Sequence, residues 1–365
     1  MTSRVFNFSA GPAVLPVPVL EQIQSEMLSL PGVGASILEI SHRSKPFEKI
    51  LHSAADRLRQ LLQIPAGYQI LFLQGGSRLQ FSMVPMNILK GTGLVGNYLL
   101  TGSWGEKALE EAQREGATHV AWTGKPAGYR TLPRPGELQI GSDAAYVHFT
   151  SNETIEGVQF LSEPEVGAAP LVCDASSDFL CRPLPVEKYG LIYACAQKNA
   201  GPAGVTVVII RDDLLQRSSD ELPGYLNYRQ HAENDSMYNT PPTFAIYVLD
   251  LIAKWLQEDV GGLQVMLERN RAKSRLLYDV IDASHGFYTG HAEPAYRSIM
   301  NVTFRLPNDS LQSEFLAGAA ERKLIELKGH RSVGGIRASI YNAMPVEGVE
   351  RLRDFMEQFH QRHHQ

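Results

Sequence analysis

One lysine stands out by its surroundings. In Ala194-Cys195-Ala196-Gln197-Lys198-Asn199-Ala200-Gly201-Pro202-Ala203-Gly204, Lys198 lies in a short polar-glycine loop. The apolar runs on either side, Gly190–Ala194 and Thr206–Ile210, both read as strands. A lysine set between two buried strands has its stem held by packing, and desolvation lowers its pKa toward a usable nucleophile for an aldehyde. Taken alone, the stretch could equally be a hairpin with a surface lysine. Upstream, Ala169-Pro170-Leu171-Val172-Cys173-Asp174 is a short apolar strand ending in a carboxylate. An aspartate at one strand end and a lysine at the next suit the ring nitrogen and the aldehyde of pyridoxal phosphate. A Schiff-base lysine and an acidic partner are what proteins usually contribute to that cofactor.

The same cofactor needs a seat for one phosphate. Leu71-Phe72-Leu73-Gln74-Gly75-Gly76-Ser77-Arg78 is a strand running through a Gly-Gly turn into a helix. Glycines there allow close backbone approach, and the helix start offers free N–H groups and a positive dipole end. No Gly-Lys-Ser/Thr follows, and the spacing is not that of a dinucleotide-binding turn. Trp104, in Thr101-Gly102-Ser103-Trp104-Gly105, follows the next strand, where an indole can stack on an aromatic ring or simply pack as core. Thr154, in Ser151-Asn152-Glu153-Thr154-Ile155-Glu156-Gly157, can bond a ring hydroxyl or serve as a cap or turn residue.

Regularly alternating elements are needed to bring these loops together. The pattern predicts strands at Ile70–Leu73, Leu94–Leu100, His119–Thr123, Ala145–Phe149, Leu171–Cys173, Leu191–Ala194 and Val205–Ile210. Helices are predicted at Val19–Leu30, from Pro46, from about Leu79, and at Glu106–Glu115. Strands alternating with helices imply a mostly parallel, mixed α/β sheet covered on both faces, with ligands at the carboxyl ends of the strands. Beyond Ile210 come helices Pro242–Glu258 and Leu263–Ala283. Strands near Asn301–Leu306 and Arg337–Tyr341 follow, with helices near Ser310–Arg322 and Val346–Gln361. The expected division is a large domain over residues 16–260 and a smaller C-terminal α/β domain over 261–365 together with 1–15.

Bulk properties narrow the function classes. The 365 residues suffice for two domains, and a net charge of −5 gives no reason to expect nucleic acid as a partner. Met1-Thr2-Ser3-Arg4-Val5 has no apolar signal core, and no run reaches membrane-spanning length. Cys173, Cys181 and Cys195 lack metal-ligand spacing, and an odd count without a secretory signal fits a reducing, cytoplasmic setting. No metal site is expected. The tail histidines His360, His363 and His364 could suggest one, but read as a frayed polar terminus.

Together these stretches resemble the phosphoserine aminotransferases, of the class V group of pyridoxal-phosphate enzymes with the type I fold. The resemblance rests on Asn7-Phe8-Ser9-Ala10-Gly11-Pro12, Ser41-His42-Arg43-Ser44, Gln74–Arg78, Asn152-Glu153-Thr154, Ala196–Gly204, Tyr238-Asn239-Thr240-Pro241-Pro242, Lys328-Gly329-His330-Arg331 and Gly334–Asn342. They span nearly the whole chain in the family's order. The resemblance implies Lys198 as the Schiff-base and proton-shuttling lysine, Asp174 as partner of the ring nitrogen, Trp104 stacked on the ring and Thr154 on its hydroxyl. Gly76, Ser77, Arg78 and Gln197 would hold the phosphate, with Asn239 and Thr240 reaching it from the other subunit of a homodimer. Arg337 would fork onto the substrate's α-carboxylate, a bidentate match that lysine could not copy. Ser9, His42, Arg43, His330 and Arg331 would complete the substrate site, the two His-Arg pairs at the far anionic end. For either pair alone, solvated surface charge is the simpler reading; two converging pairs suit a doubly charged group. The glycine loop departs from the family's commoner forms, which leaves its side-chain contacts open, and Cys195 stands where a small residue is usual.

The implied reaction is amino transfer between L-glutamate and 3-phosphohydroxypyruvate, with a four-carbon phosphohydroxy substrate of vitamin B6 synthesis as a second possibility. A same-fold lyase of the cysteine desulfurase type would need a nucleophilic cysteine near the substrate, and the C-terminal half has none. A non-catalytic phosphate-ligand binder would need no Schiff-base lysine.

Overall fold

Side chains on the central strands point alternately into two apolar layers, and that alternation builds the main body of the protein. The structure is a computed structural model that describes residues 4–363; Met1, Thr2, Ser3, His364 and Gln365 lie outside the described residues. Seven strands form one sheet, in the spatial order Tyr68–Leu73, Thr206–Arg211, Tyr189–Cys195, Leu171–Asp174, Ala144–Thr150, Val95–Leu100, Thr118–Thr123. Phe72, Val147, Cys173, Ile192 and Val207 face the helices Val17–Glu26, Lys45–Leu62 and Thr243–Trp255. Their neighbours Leu71, Leu73, Tyr146, Val172, Leu191 and Val208 face the helices Gly76–Ile88 and Ser103–Ala112. Each fully buried aliphatic side chain in such a layer contributes roughly 1.5–3 kcal/mol. Near-continuous apolar runs are therefore what a sheet covered on both faces requires.

Six of the strands run the same way; Thr206–Arg211 is antiparallel to both its neighbours. The expected mixed sheet is found, with its single reversed strand immediately after the lysine loop. A three-stranded antiparallel sheet of Thr289–Gly290, Asn301–Arg305 and Ile336–Ser339 follows later in the chain. It lies in a separate apolar cluster built from Leu277, Val302, Phe304, Phe315, Ile340, Leu352 and Phe355, which also takes in Phe8. The N-terminal residues reach this cluster by a short parallel pairing of Phe6–Asn7 with Leu324–Ile325. Helix Leu263–Ala283 has Leu263 and Met266 in the first layer and Leu277 and Ile281 in this cluster.

Two expectations are corrected. The first helix ends at Glu26 rather than Leu30, leaving Leu28 89 % exposed. The C-terminal helix continues through His363 instead of fraying: His363 Nε2 lies 3.0 Å from Glu314 Oε1, and its ring stacks on Phe359. His360 packs against Phe287. His364, the third histidine of the tail, lies outside the described residues.

A buried lysine ties the C-terminal sheet to helix Leu263–Ala283. Lys273 Nζ donates to the carbonyls of Ile340 (3.0 Å), Tyr341 (2.7 Å) and Met344 (3.1 Å), directly after the strand that carries Arg337. Replacing it leaves the Ile340 and Met344 carbonyls without this donor, while Tyr341 O keeps only its bond from Met344 N. Lys273→Met is expected to lower stability by about 2–4 kcal/mol in urea unfolding, and an unchanged midpoint would show that the carbonyls find other partners.

Candidate active site

The carboxyl ends of the six like-directed strands converge on one edge of the sheet, and the predicted chemistry collects there. Leu171–Asp174 ends in the carboxylate itself, which is buried. Asp174 Oδ1 accepts from Ser176 N at 3.0 Å and Ser176 Oγ at 2.5 Å. No described residue donates to Oδ2, so one carboxylate oxygen is left for a ligand. Burial raises the Asp174 pKa above its ordinary value, while the charge of Lys198 and the two Ser176 hydrogen bonds pull it down. Ser176 Oγ also accepts from Cys195 N at 3.2 Å and lies 2.5 Å from Ser77 Oγ. Because the Ser176 proton goes to Asp174, Ser77 is the donor in that last contact. A hydroxyl relay thus runs from the glycine turn to the buried carboxylate.

Lys198 sits in the tight loop after Tyr189–Cys195, where Ala200 N and Gly201 N both bond back to Ala196 O. Its Nζ donates to Thr154 Oγ1 at 2.8 Å and stands 5.1 Å from the centre of the Trp104 ring. The segment after Ser9 lies along its stem: a Cβ on Gly11 would meet Lys198 Cγ at 3.3 Å, and Ala13 N bonds Gln197 O at 2.9 Å. Lys198, Thr154, Trp104, Asp174, Ser77 and Gln197 are therefore one group, as expected from the sequence.

The glycine turn has the geometry to take an anion. Gly75 and Gly76 have φ of +87° and +64°, conformations that a side chain would strain. The helix Gly76–Ile88 has neither a capping side chain nor an acidic residue in its first turn. Its leading N–H groups are left to solvent or to a phosphate. Arg78 is exposed, with Cζ 6.0 Å from the Trp104 ring centre. Asn239 and Thr240 lie on Gln74: Asn239 Nδ2 donates to Gln74 Oε1 at 2.8 Å, and Gln74 Nε2 to Thr240 O at 3.4 Å.

Trp104 is held by a device that sequence reasoning missed. The turn after Ala144–Thr150 folds into a short hairpin that carries two buried glutamates. Glu153 accepts from Trp104 N (3.1 Å) and Gly105 N (3.0 Å), and Glu156 from Ser103 N (3.0 Å) and Ser103 Oγ (2.6 Å). Two carboxylates cap one helix, and a Cβ on Gly102 would come within 2.7 Å of both. Burial and the charge of Glu156 raise the Glu153 pKa well above the ordinary carboxylate range. Glutamate in an Asn-Glu-Thr turn gives no sign of burial; the only signal available was the glycine two residues before Trp104.

Arg337, on strand Ile336–Ser339, is half-buried and forms no ion pair among the described residues; its Nε is buried without a hydrogen-bond partner. Burial pulls its pKa below the usual value, with Tyr341 and Glu156 opposing. A guanidinium in that condition can take a carboxylate in bidentate fashion. His330 lies nearby in a turn, with Nδ1 2.7 Å from Ser332 Oγ. Burial and the charges of Arg337, Lys107 and Arg331 lower its pKa below the ordinary 6.5. His42 and Arg43 stand before helix Lys45–Leu62, Arg43 exposed. Within one chain, no hydrogen bond or ion pair joins them to His330 or Arg331.

Ser176 gives the site a direct test. Ser176→Ala removes the hydroxyl bond to Asp174 Oδ1 and leaves the backbone N–H bond in place. It is expected to weaken pyridoxal phosphate binding roughly 10- to 100-fold, read by quenching of tryptophan fluorescence. A lowered Tm with unchanged affinity would instead assign Ser176 to folding alone.

The comparisons with known proteins agree with this geometry. The family model described as aminotransferase class V matches residues 5–352. A phosphoserine aminotransferase of Rhodopirellula baltica is 58 % identical over 98 % of this chain and 95 % of its own length. The solved phosphoserine aminotransferase of Bacillus circulans subsp. alkalophilus superposes with a TM-score of 0.96 at 50 % identity, covering 98 % of this chain and 99 % of that one. The pyridoxal-phosphate-bound enzyme of Trichomonas vaginalis gives 0.92 at 42 % identity, covering 97 % and 100 %. With a match over nearly its full length and a lysine, a buried aspartate and an uncapped glycine turn on one sheet edge, the chain belongs to the class-V aminotransferases, pyridoxal-phosphate-dependent transaminases of the type I fold.

Proposed function

We propose that this chain moves an amino group between L-glutamate and 3-phosphohydroxypyruvate, giving O-phospho-L-serine and 2-oxoglutarate in serine biosynthesis. The observation that carries the substrate assignment is the basic cluster at the site mouth: the partnerless guanidinium of Arg337, with Arg331 and the titratable ring of His330 beside it. One anionic end of an amino acid is met by the first, and a second, more highly charged end by the others. The same seat serves the four-carbon phosphohydroxythreonine pair of vitamin B6 synthesis, which we include as a second substrate. The three thiols are buried and free, which gives no support to desulfurase chemistry.

The residues fit the cofactor. Asp174 Oδ2 is available to the pyridine nitrogen, Thr154 to the ring hydroxyl and Trp104 to the ring face. The N–H groups at Gly76 and Ser77, with Arg78 and Gln197, are available to the phosphate. When bound, pyridoxal phosphate supplies an electron sink and a carrier for the amino group. The chain supplies the rest. Lys198 Nζ holds and moves the proton at the substrate's α-carbon. Asp174, whose charged form Ser176 and Lys198 favour against its burial, would hold the proton on the ring nitrogen. Arg337 would orient the α-carboxylate in bidentate fashion, and Ser9, two residues before Gly11, would complete the same mouth.

We further propose a homodimer in which Asn239 and Thr240 of one copy complete the phosphate seat of the other, and His42 and Arg43 reach the distal end of the substrate. Residues 16–260 would then act as the large domain and 261–365 with 1–15 as the small one, in a cytoplasmic enzyme. Among the described residues, no helix is long and apolar enough to cross a membrane, and the net charge of −5 favours small anions over nucleic acid only where cations are gathered locally.

The deciding experiment is spectral. Purified protein loaded with pyridoxal phosphate should be yellow, bleach with glutamate and recover its colour with 3-phosphohydroxypyruvate, while Lys198→Ala should never acquire the band. Steady-state plots should be parallel. A band that glutamate leaves unchanged would sink the assignment.

His330 yields a pH prediction with a fixed sign. Its pKa is lowered in the free protein, so it is neutral near pH 7, and a dianion beside it would raise that pKa. Competitive inhibition by sulfate, which does not itself titrate here, should strengthen as pH falls from about 8 to about 6, and His330→Asn should flatten the profile. Inhibition independent of pH would remove His330 from the anion seat.

A further inference from the structure

Lys107 belongs to none of the roles described so far. It lies one turn along helix Ser103–Ala112 from its start, half-buried, with Nζ 4.8 Å from the centre of the Trp104 ring. The same ring has Lys198 Nζ at 5.1 Å and Arg78 Cζ at 6.0 Å. Three cations thus surround one indole. The two carboxylates whose charge reaches Lys107 are both committed elsewhere. Glu106 is held by Lys125 Nζ at 2.8 Å and Tyr129 Oη at 2.6 Å, and Glu156 caps Ser103. No carboxylate among the described residues pairs with Lys107.

Lys107 is also the cation of the main sheet's layers whose charge is felt at His330, together with Arg331 from the turn before strand Ile336–Ser339 and Arg337 from that strand. Like charges brought together from two separate parts of a fold repel one another, and Glu156, whose charge reaches both Lys107 and Arg337, is tied to Ser103. Such an arrangement is relieved by an anion that binds between them. The glutamates capping the helix fix where its first turn points, so the lysine's position is set by the same hydrogen bonds that set Trp104.

We propose that Lys107 is a specificity-determining residue: it contacts the distal phosphate of the substrate from the large-sheet side, opposite His330 and Arg331, and favours a phosphate over a carboxylate there. This rests on the transaminase reading given above and adds a residue and a selectivity to it. A compact ammonium on a flexible stem suits a phosphate, to which it contributes as a point charge. A γ-carboxylate, with one charge fewer and a flatter shape, draws less from it.

The test compares Lys107→Gln and Lys107→Arg with the wild type, all loaded with pyridoxal phosphate, using O-phosphoserine and glutamate as separate amino donors. In Lys107→Gln the KM for O-phosphoserine is expected to rise about 10- to 100-fold, with kcat changed less than about threefold. The KM for glutamate should rise distinctly less. Lys107→Arg should restore most of the phosphoserine KM, and inhibition by inorganic phosphate should weaken in parallel in the glutamine variant. Equal losses with both donors, a loss confined to kcat, or unchanged constants would overturn the proposal. If wild type itself fails to turn over O-phosphoserine while glutamate bleaches it, the phosphoserine reading falls first. If wild type turns it over and Lys107→Gln matches it, only the role of Lys107 falls.

Discussion

A carboxylate buried at the end of a sheet strand is the constraint on which the rest of the site depends. Asp174 lies almost wholly out of water, where an ionised group is costly unless neighbours stabilise its charge. The protein stabilises it with two hydrogen bonds from Ser176 and, at longer range, with the charge of Lys198. Both are consequences of topology: Ser176 follows in the same loop, and the lysine arrives on the adjacent strand Tyr189–Cys195. One oxygen is left without a partner. That oxygen is the acceptor that the proposed cofactor site offers to a ring nitrogen.

The second organising element is the pair of buried glutamates on the hairpin after Ala144–Thr150. Helix starts commonly use serine or aspartate as caps. Here two carboxylates from a distant turn bind three successive N–H groups, and the favourable field of the helix end offsets part of their burial. The hairpin also carries Thr154, which holds Lys198. The indole face and the amine are therefore referenced to a single two-strand support, and small errors in one are not independent of the other.

Much of this was legible in the chain. The central strands lie within a residue or two of their predicted limits, because runs such as Thr206-Val207-Val208-Ile209-Ile210 suit only a sheet covered on both faces. The loops after those strands carry Lys198, Asp174, Trp104 and Thr154, and the carboxyl-end rule brings them together. What stayed hidden depends on long-range context. The pairing of Phe6–Asn7 with Leu324–Ile325 leaves no local pattern. Glu153 and Glu156 look like surface residues until Gly102 and the helix end are placed against them. The terminal histidines read as a loose tail because their stabilising partners, Glu314 and Phe287, lie far away in sequence.

The reversed strand Thr206–Arg211 has a consequence of its own. A parallel neighbour would require a crossover of a dozen or more residues before the chain could re-enter the sheet. Reversal lets the chain turn straight back, and Ala196 N bonds Val205 O to close the loop at its base. The Lys198 amine therefore rides on a tether whose two ends are clamped side by side in the sheet. Its reach is set by the length of a hairpin, and inserting or deleting a single residue there would move the amine relative to Asp174 while leaving every layer of the fold intact.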